Sequence, residues 1–239
     1  VRPNFFRAAT NNDVENKYGY RYGKWLTASL YAKCEFVGVS KGDCSCKVEY
    51  AYDLPNLQDE KVHLVYEVYG DGKIIVDMSY QPVVSEIEMP VFGLIFQLYK
   101  DMEEVNYYGF GPEENYIDRN KGALLGKYTY QVTDNLTPYL YPQECGNRTH
   151  VRELSVAGEN TKLKIKGEDF EFSALHYTPY ELENARHKDE LPNVYQTVLC
   201  INEKQMGIAG DDTWGAKTHD EFLLDKEKHH LRFSFKGKL

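Results

Sequence analysis

The chain has 239 residues, enough to bury a substantial core within one large domain. Hydrophobic residues make up 42% of it, an ordinary share for a globular domain, and 20 residues are tyrosine. The formal net charge of −9 argues against a nucleic-acid partner, and no apolar run nears the roughly 20 residues that span a bilayer.

In chain order, the first informative stretch is NFFRAATNND, Asn4 to Asp13. Phe5 and Phe6 read as core, and Thr10-Asn11-Asn12-Asp13 as an irregular loop, because Asn and Asp side chains bond their own backbone. The glycine-punctuated aromatic run YGYRYGKW, Tyr18 to Trp25, reads as a further loop, packed on a sheet or facing a ligand. Val62, Leu64, Tyr66 and Val68 then share one face of a strand, Asp71-Gly72 turns the chain, and Ile74, Val76, Met78 and Tyr80 return up to Pro82. Leu163 and Ile165 alternate with Lys162, Lys164 and Lys166. Gly167-Glu168-Asp169 is predicted to turn the chain into a return strand with Phe170, Phe172 and Ala174. Thr197, Leu199 and Ile201 form another strand, ended by a predicted turn at Asn202-Glu203-Lys204, and Leu231, Phe233 and Phe235 a last one. One helix is predicted: Thr178-Pro179-Tyr180-Glu181 is a capping box with Pro at the first helical position, leading into ELENARHKDEL and stopping before Pro192. No linker divides the chain. Residues 1–239 therefore read as a single, mainly antiparallel all-β domain with one or two short helices.

The five cysteines, Cys34, Cys44, Cys46, Cys145 and Cys200, show no CxxC spacing. Buried unpaired thiols are expected rather than a zinc site, which points to the cytoplasm and leaves the periplasm open. The chain starts at Val1, which suggests a processed product or a piece of a longer protein.

Function is sought in the irregular segments. In GFGPEENYIDR the adjacent Glu113 and Glu114 offer two carboxylates, but neighbours on an extended segment point to opposite faces, a poor arrangement for shared acid–base work. LTPYLYPQECGNRTHVRE gathers Glu144, Arg148, His150, Arg152 and Glu153 into a polar cluster in which His150 is a candidate base. QMGIAGDDTWG, Gln205 to Gly215, places adjacent Asp211 and Asp212 and one of two tryptophans between glycines. It lacks the ligand spacing of a Ca²⁺ loop. Trp214 serves equally as core or as a platform for a sugar ring.

Four of these stretches, in this order, resemble motifs of the C-terminal, small-chain region of family-2 glycoside hydrolases of the lac-type β-galactosidase kind: NFFRAATNND, GFGPEENYIDR, TPYLYPQECGNRTHVREL and MGIAGDDTW. The resemblance implies a large antiparallel β supersandwich, galactose-mutarotase-like in fold. It also implies that the catalytic glutamates lie on a separate TIM barrel, so no catalytic residue is expected here and no metal or cofactor is bound by this chain. The parent enzyme would use Mg²⁺ and Na⁺ through other domains. By position, Trp214 would stack the leaving sugar of a β-galactoside, Asn12 and Asp13 would belong to a loop at the active-site mouth, and Asp211 and Asp212 would support the Trp turn by accepting backbone N–H groups. Expected partners are the barrel and a preceding sandwich domain of the same parent, itself a homo-oligomer. The chain departs from the pattern at Val14-Glu15-Asn16, where the family continues with Gly or Arg-Gly and which bears on the loop's length and contacts, at Asn11, which replaces an Asp, and at Cys145, which replaces an Asn after Glu144. Two other readings stay open: a mutarotase-like epimerase using His150 or His176 with Glu144 or Glu153, and a stand-alone carbohydrate-binding module or small subunit.

Overall fold

The structure, a computed structural model, describes residues 1–55, 57, 61–82, 88–212, 214–224 and 228–238. Among the described residues, twelve strands follow in chain order: β1 Arg2–Asn4, β2 Lys33–Lys41, β3 Ser45–Asp53, β4 Lys61–Tyr69, β5 Ile74–Tyr80, β6 Val91–Tyr99, β7 Glu104–Gly111, β8 Leu124–Gln131, β9 Arg148–Ala157, β10 Lys162–Leu175, β11 Gln196–Gln205 and β12 His229–Lys238. The α-helices are α1 Asn11–Glu15, α2 Tyr18–Tyr31 and α3 Pro179–Asn184.

The strands form one sheet in the order β1-β6-β11-β10-β12-β5-β4-β3-β2, with β9, β7 and β8 branching from β10. Its strand pairs are antiparallel. The β4–β5 hairpin falls where alternation predicts it, with Gly72 at φ 83°, a conformation open to glycine.

Two predicted turns are absent. Gly167-Glu168-Asp169 lies inside the continuous β10, where that strand changes neighbours. Lys162–Gly167 pairs with β12 and Glu171–Leu175 with β11, while register shifts against β9 fall between Lys166 and Phe172. A bulge, not a turn, absorbs the break in alternation. It leaves Phe170, Glu171 and Phe172 all buried in succession. Likewise Asn202-Glu203-Lys204 lies within β11, at a register shift against β6.

The inward faces of β4 to β7 and β9 to β12 meet in one core that includes Leu64, Met78, Phe92, Val105, Ile165, Phe172 and Phe233. The aromatic run read as a loop is instead helix α2. Tyr18, Tyr22, Trp25 and Ser29 form its buried face at helical spacing. Trp25 Nε1 donates to Glu88 O at 2.9 Å, and its ring packs against Phe5 and Tyr80. The capping box at Thr178 forms as expected, with Pro179 first in the helix, but α3 stops at Asn184 and a 3₁₀ turn covers Lys188–Glu190. The cysteines are unpaired. Only Cys145 and Cys200 are buried, however, because Cys34 stands on the edge strand β2 and Cys44 in the turn before β3. Among the described residues, no helix is long and apolar enough to cross a membrane.

Candidate functional site

The irregular stretches that are far apart in the chain meet at one end of the sheet. Arg7, whose side chain is shut off from solvent, places Nη1 2.8 Å from Asp13 Oδ2 and donates from Nη2 to Gly207 O at 3.1 Å. Burial opposes the Arg7 charge, but Asp13, followed by Tyr18, Glu144 and Tyr116, holds its pKa above the usual value. Thr10 and Asp13 form a capping box that starts α1, so the segment read as an irregular loop is a short, locked helix. The Thr10 hydroxyl lies 3.3 Å from Ile208 O, which ties the first stretch to the last a second time.

Asn12 and Asp13 are both buried. The Asp13 carboxylate is engaged by Arg7 and by Thr10 N at 2.9 Å. Asn12 Nδ2 and Asn16 Nδ2 lie 3.5 and 3.4 Å from Ala216 O, beneath the Trp214 turn.

The two aspartates of that turn have different jobs. Asp212 Oδ1 accepts from Trp214 N at 2.8 Å and from Ala216 N at 3.2 Å. Asp211 Oδ1 instead meets His219 Nε2 at 2.8 Å; this hydrogen bond, together with the Asp211 charge, raises the His219 pKa. Thr213 lies outside the described residues. A Cβ on Gly210 would collide with the Ala216 carbonyl oxygen, so the turn closes only with glycine there. Trp214 stands out from the turn with 87% of its surface exposed, whereas Trp25 is 1% exposed in the core. The cleft beside the turn, lined by Asp13, Asn16, Arg21, Lys217 and Asp220 among others, holds about 120 Å³. That is below the ~300 Å³ at which small-molecule sites begin.

The middle stretches form the floor. Glu113 is exposed, while Glu114 turns inward and accepts from Gly146 N at 2.7 Å, from Thr137 Oγ1 at 2.9 Å and from Tyr139 OH. The two carboxylates diverge. Asn115 Oδ1 accepts from Thr149 N and Oγ1, and Asn147 Nδ2 donates to Asn115 O and to Glu171 Oε2. Asp118 Oδ2 accepts from Ala209 N at 2.9 Å, fastening this floor to the Trp stretch.

Gln205 bridges two buried acids. Its Nε2 donates to Glu144 Oε1 at 3.2 Å and its backbone N to Glu171 Oε2 at 3.3 Å. Burial outweighs the help of Arg7 and Gln205 and pushes Glu144 up to about 7. Burial likewise outweighs Asn147 and Gln205 N and pushes Glu171 up to about 8. Sequence reasoning missed Arg7, Glu171, Gln205 and Asn147 as members of this cluster. Arg7 and Asn147 sat inside the motifs, but the inward turn of Glu171 comes from the β10 bulge, which alternation does not reveal.

The residues considered for an epimerase do not converge. His150 Nδ1 meets Asp169 Oδ2 at 3.1 Å in an exposed pair, and His176 Nε2 meets Glu103 Oε1 at 2.7 Å. Glu153 pairs with Lys166, and Glu144 with Gln205 and Tyr116. Among the described residues, no group of three or more His, Cys, Asp or Glu is placed to hold a metal.

A family described as beta galactosidase small chain matches residues 1–236. The β-galactosidase of Streptococcus thermophilus is 39% identical over 233 residues, 96% of this chain and 23% of that protein. The β-galactosidase of Halalkalibacterium halodurans is also 39% identical, over 98% of this chain and 24% of that protein. This chain thus spans about a quarter of the length of these relatives. A β-galactosidase small subunit of Latilactobacillus sakei is 29% identical over 97% of this chain and 83% of its own. A solved GalM/aldose epimerase homologue from C. elegans aligns over 86% of this chain and 68% of its own, at 12% identity and a TM-score of 0.43.

Proposed function

From the premise that the chain belongs to the β-galactosidase small-chain family, we propose that it is the accessory region of a retaining β-galactosidase and forms the leaving-sugar side of its pocket. The catalytic carboxylates and any Mg²⁺ or Na⁺ of the chemistry are held by other domains, the TIM barrel first among them. Trp214 is the sugar-contacting residue. Asp212 holds the turn, Asn12 reaches Ala216 O beneath it, and Asp13 holds Arg7, which donates to Gly207 O.

The observation that carries this reading is the position of Trp214. An indole left 87% exposed on a turn pinned by Asp212 presents a flat apolar face, the kind of surface on which the C–H face of a sugar ring stacks. The small cleft beside it supports a wall completed by another domain rather than a self-sufficient pocket. The region serves in this way whether it is joined to the barrel in one polypeptide or docks as a subunit, the form that the Latilactobacillus sakei relative's name describes. The parent is read as a homo-oligomer working in the cytoplasm. Assay of the purified 239-residue chain on a chromogenic galactoside tests the division of labour. No turnover is expected; turnover abolished by substitution within this chain would overturn it.

A further inference from the structure

The outer face of β10 and β12 carries a block of lysines. Leu163 and Ile165 point into the core, so Lys162, Lys164 and Lys166 face outward. Across the ladder, Lys162 stands opposite Lys238 and Lys164 opposite Lys236. Like charges directly opposite each other destabilise a sheet, and here they concentrate in a chain of net charge −9. Lys166 is matched by Glu153 at 2.8 Å and Lys236 by Asp71 at 3.3 Å. Lys162 and Lys164 have no ion pair among the described residues.

On the other side of β10 the Lys164 row becomes neutral, while the Lys162 row reaches Glu104 through Ala157. Lys164 is level with Ser155 on β9, Ser155 with Asn106 on β7, and Asn106 with Thr129 on β8. The row below runs from Lys166 through Glu153 and Tyr108 to Lys127. These strands curl around a cleft of about 390 Å³ lined by Tyr108, Tyr128, Thr129, Ser155, Lys162 and Lys164 among others. That volume is within the ~300–1,000 Å³ of small-ligand sites.

We propose that this cleft binds an anionic saccharide, its charged groups on Lys162 and Lys164 and its hydroxyls on Ser155 and Thr129, beside an Asn106 side chain already bonded to Thr129 Oγ1 and Glu104. The combination selects the ligand class. Unpaired ammonium groups ask for carboxylate, sulfate or phosphate, and a concave row of hydroxyl and amide groups beside two tyrosines suits a polar ring. A long nucleic acid is disfavoured by the charge of the rest of the chain. The site is separate from the Trp214 turn, so it stands or falls independently of the reading above.

The test is calorimetric titration of the complete enzyme with a sulfated dextran oligomer at low salt, beside neutral dextran and poly-L-glutamate of matched charge. The sulfated dextran is expected to bind, and neutral dextran not to. Lys162→Glu/Lys164→Glu is expected to lose roughly tenfold in affinity while hydrolysis of a chromogenic galactoside is unchanged. Ser155→Ala is expected to weaken sulfated dextran about threefold and leave poly-L-glutamate unaffected. Should the double reversal misfold, Lys162→Ser/Lys164→Ser gives the same direction of loss and, by relieving repulsion, a higher thermal midpoint. Binding that survives both double variants would overturn the proposal. So would poly-L-glutamate binding as tightly as the saccharide and indifferent to Ser155, which would make this a dock for an acidic protein surface.

Discussion

Arg7 and Asp13 meet at 2.8 Å with both side chains shut off from water, and the same guanidinium reaches Gly207 O, 200 positions along the chain. One buried ion pair thus fastens the start of the chain to the stretch that carries Trp214. Arg7→Ala would leave the Asp13 charge buried and unmatched, at a cost of about 3–5 kcal/mol. Arg7→Met/Asp13→Leu removes both charges and is expected to cost clearly less, so urea midpoints of the two variants separate loss of a pair from loss of a contact.

Glu171 and Glu144 make stability depend on pH. Both titrate higher in the folded state, at about 8 and about 7, than a carboxyl does in an unfolded chain. The folded protein therefore holds more protons between the ordinary carboxylate range and these values, and its stability falls as pH rises through that window. Glu171→Gln keeps an oxygen acceptor for Asn147 and Gln205. Its unfolding free energy is expected to lose about half of that slope between pH 5 and 8. An unchanged slope would mean that the acid is not held neutral by burial.

The adjacent aspartates of the Trp turn are expected to separate cleanly. Asp212→Ala frees two backbone N–H groups and loosens the indole, read as a drop in the steady-state anisotropy of the turn tryptophan in a Trp25→Phe background. Asp212→Asn, which keeps the accepting oxygen, restores it. Asp211→Ala leaves the anisotropy unchanged and lowers the His219 pKa, which proton NMR follows.

Gly210→Ala tests the closure of the same turn. Its Cβ would press on the Ala216 backbone, which has no flexible end to swing away. A loss of about 1–3 kcal/mol is expected, whereas alanine at Gly19, inside α2 with nothing within 4 Å of the added carbon, is expected to gain up to about 1 kcal/mol.

Much of this was legible in the residues. Alternation located the β4–β5 hairpin and its Gly72 turn, and the Thr178 box located the start of α3. The failures share a cause: glycine and acidic residues were read as punctuation. In α2, Gly19 and Gly23 hid a helical spacing of Tyr18, Tyr22, Trp25 and Ser29 that the letters do contain. At Gly167-Glu168-Asp169 the chain passes straight through while changing partners, an event decided by which strands arrive at either edge and so by tertiary structure. The motifs of the candidate site were visible one by one. Their convergence was not, because it rests on hydrogen bonds between residues some 200 positions apart.

The role proposed for Trp214 is that of a wall for the leaving sugar. The most direct measurement takes Trp214→Ala in the complete enzyme and compares the binding of glucose, as acceptor of the galactosyl group, with inhibition by galactose. Glucose binding is expected to weaken by about tenfold, the scale of one lost aromatic contact, with galactose inhibition unchanged. Equal losses for both sugars, or none for either, would contradict it.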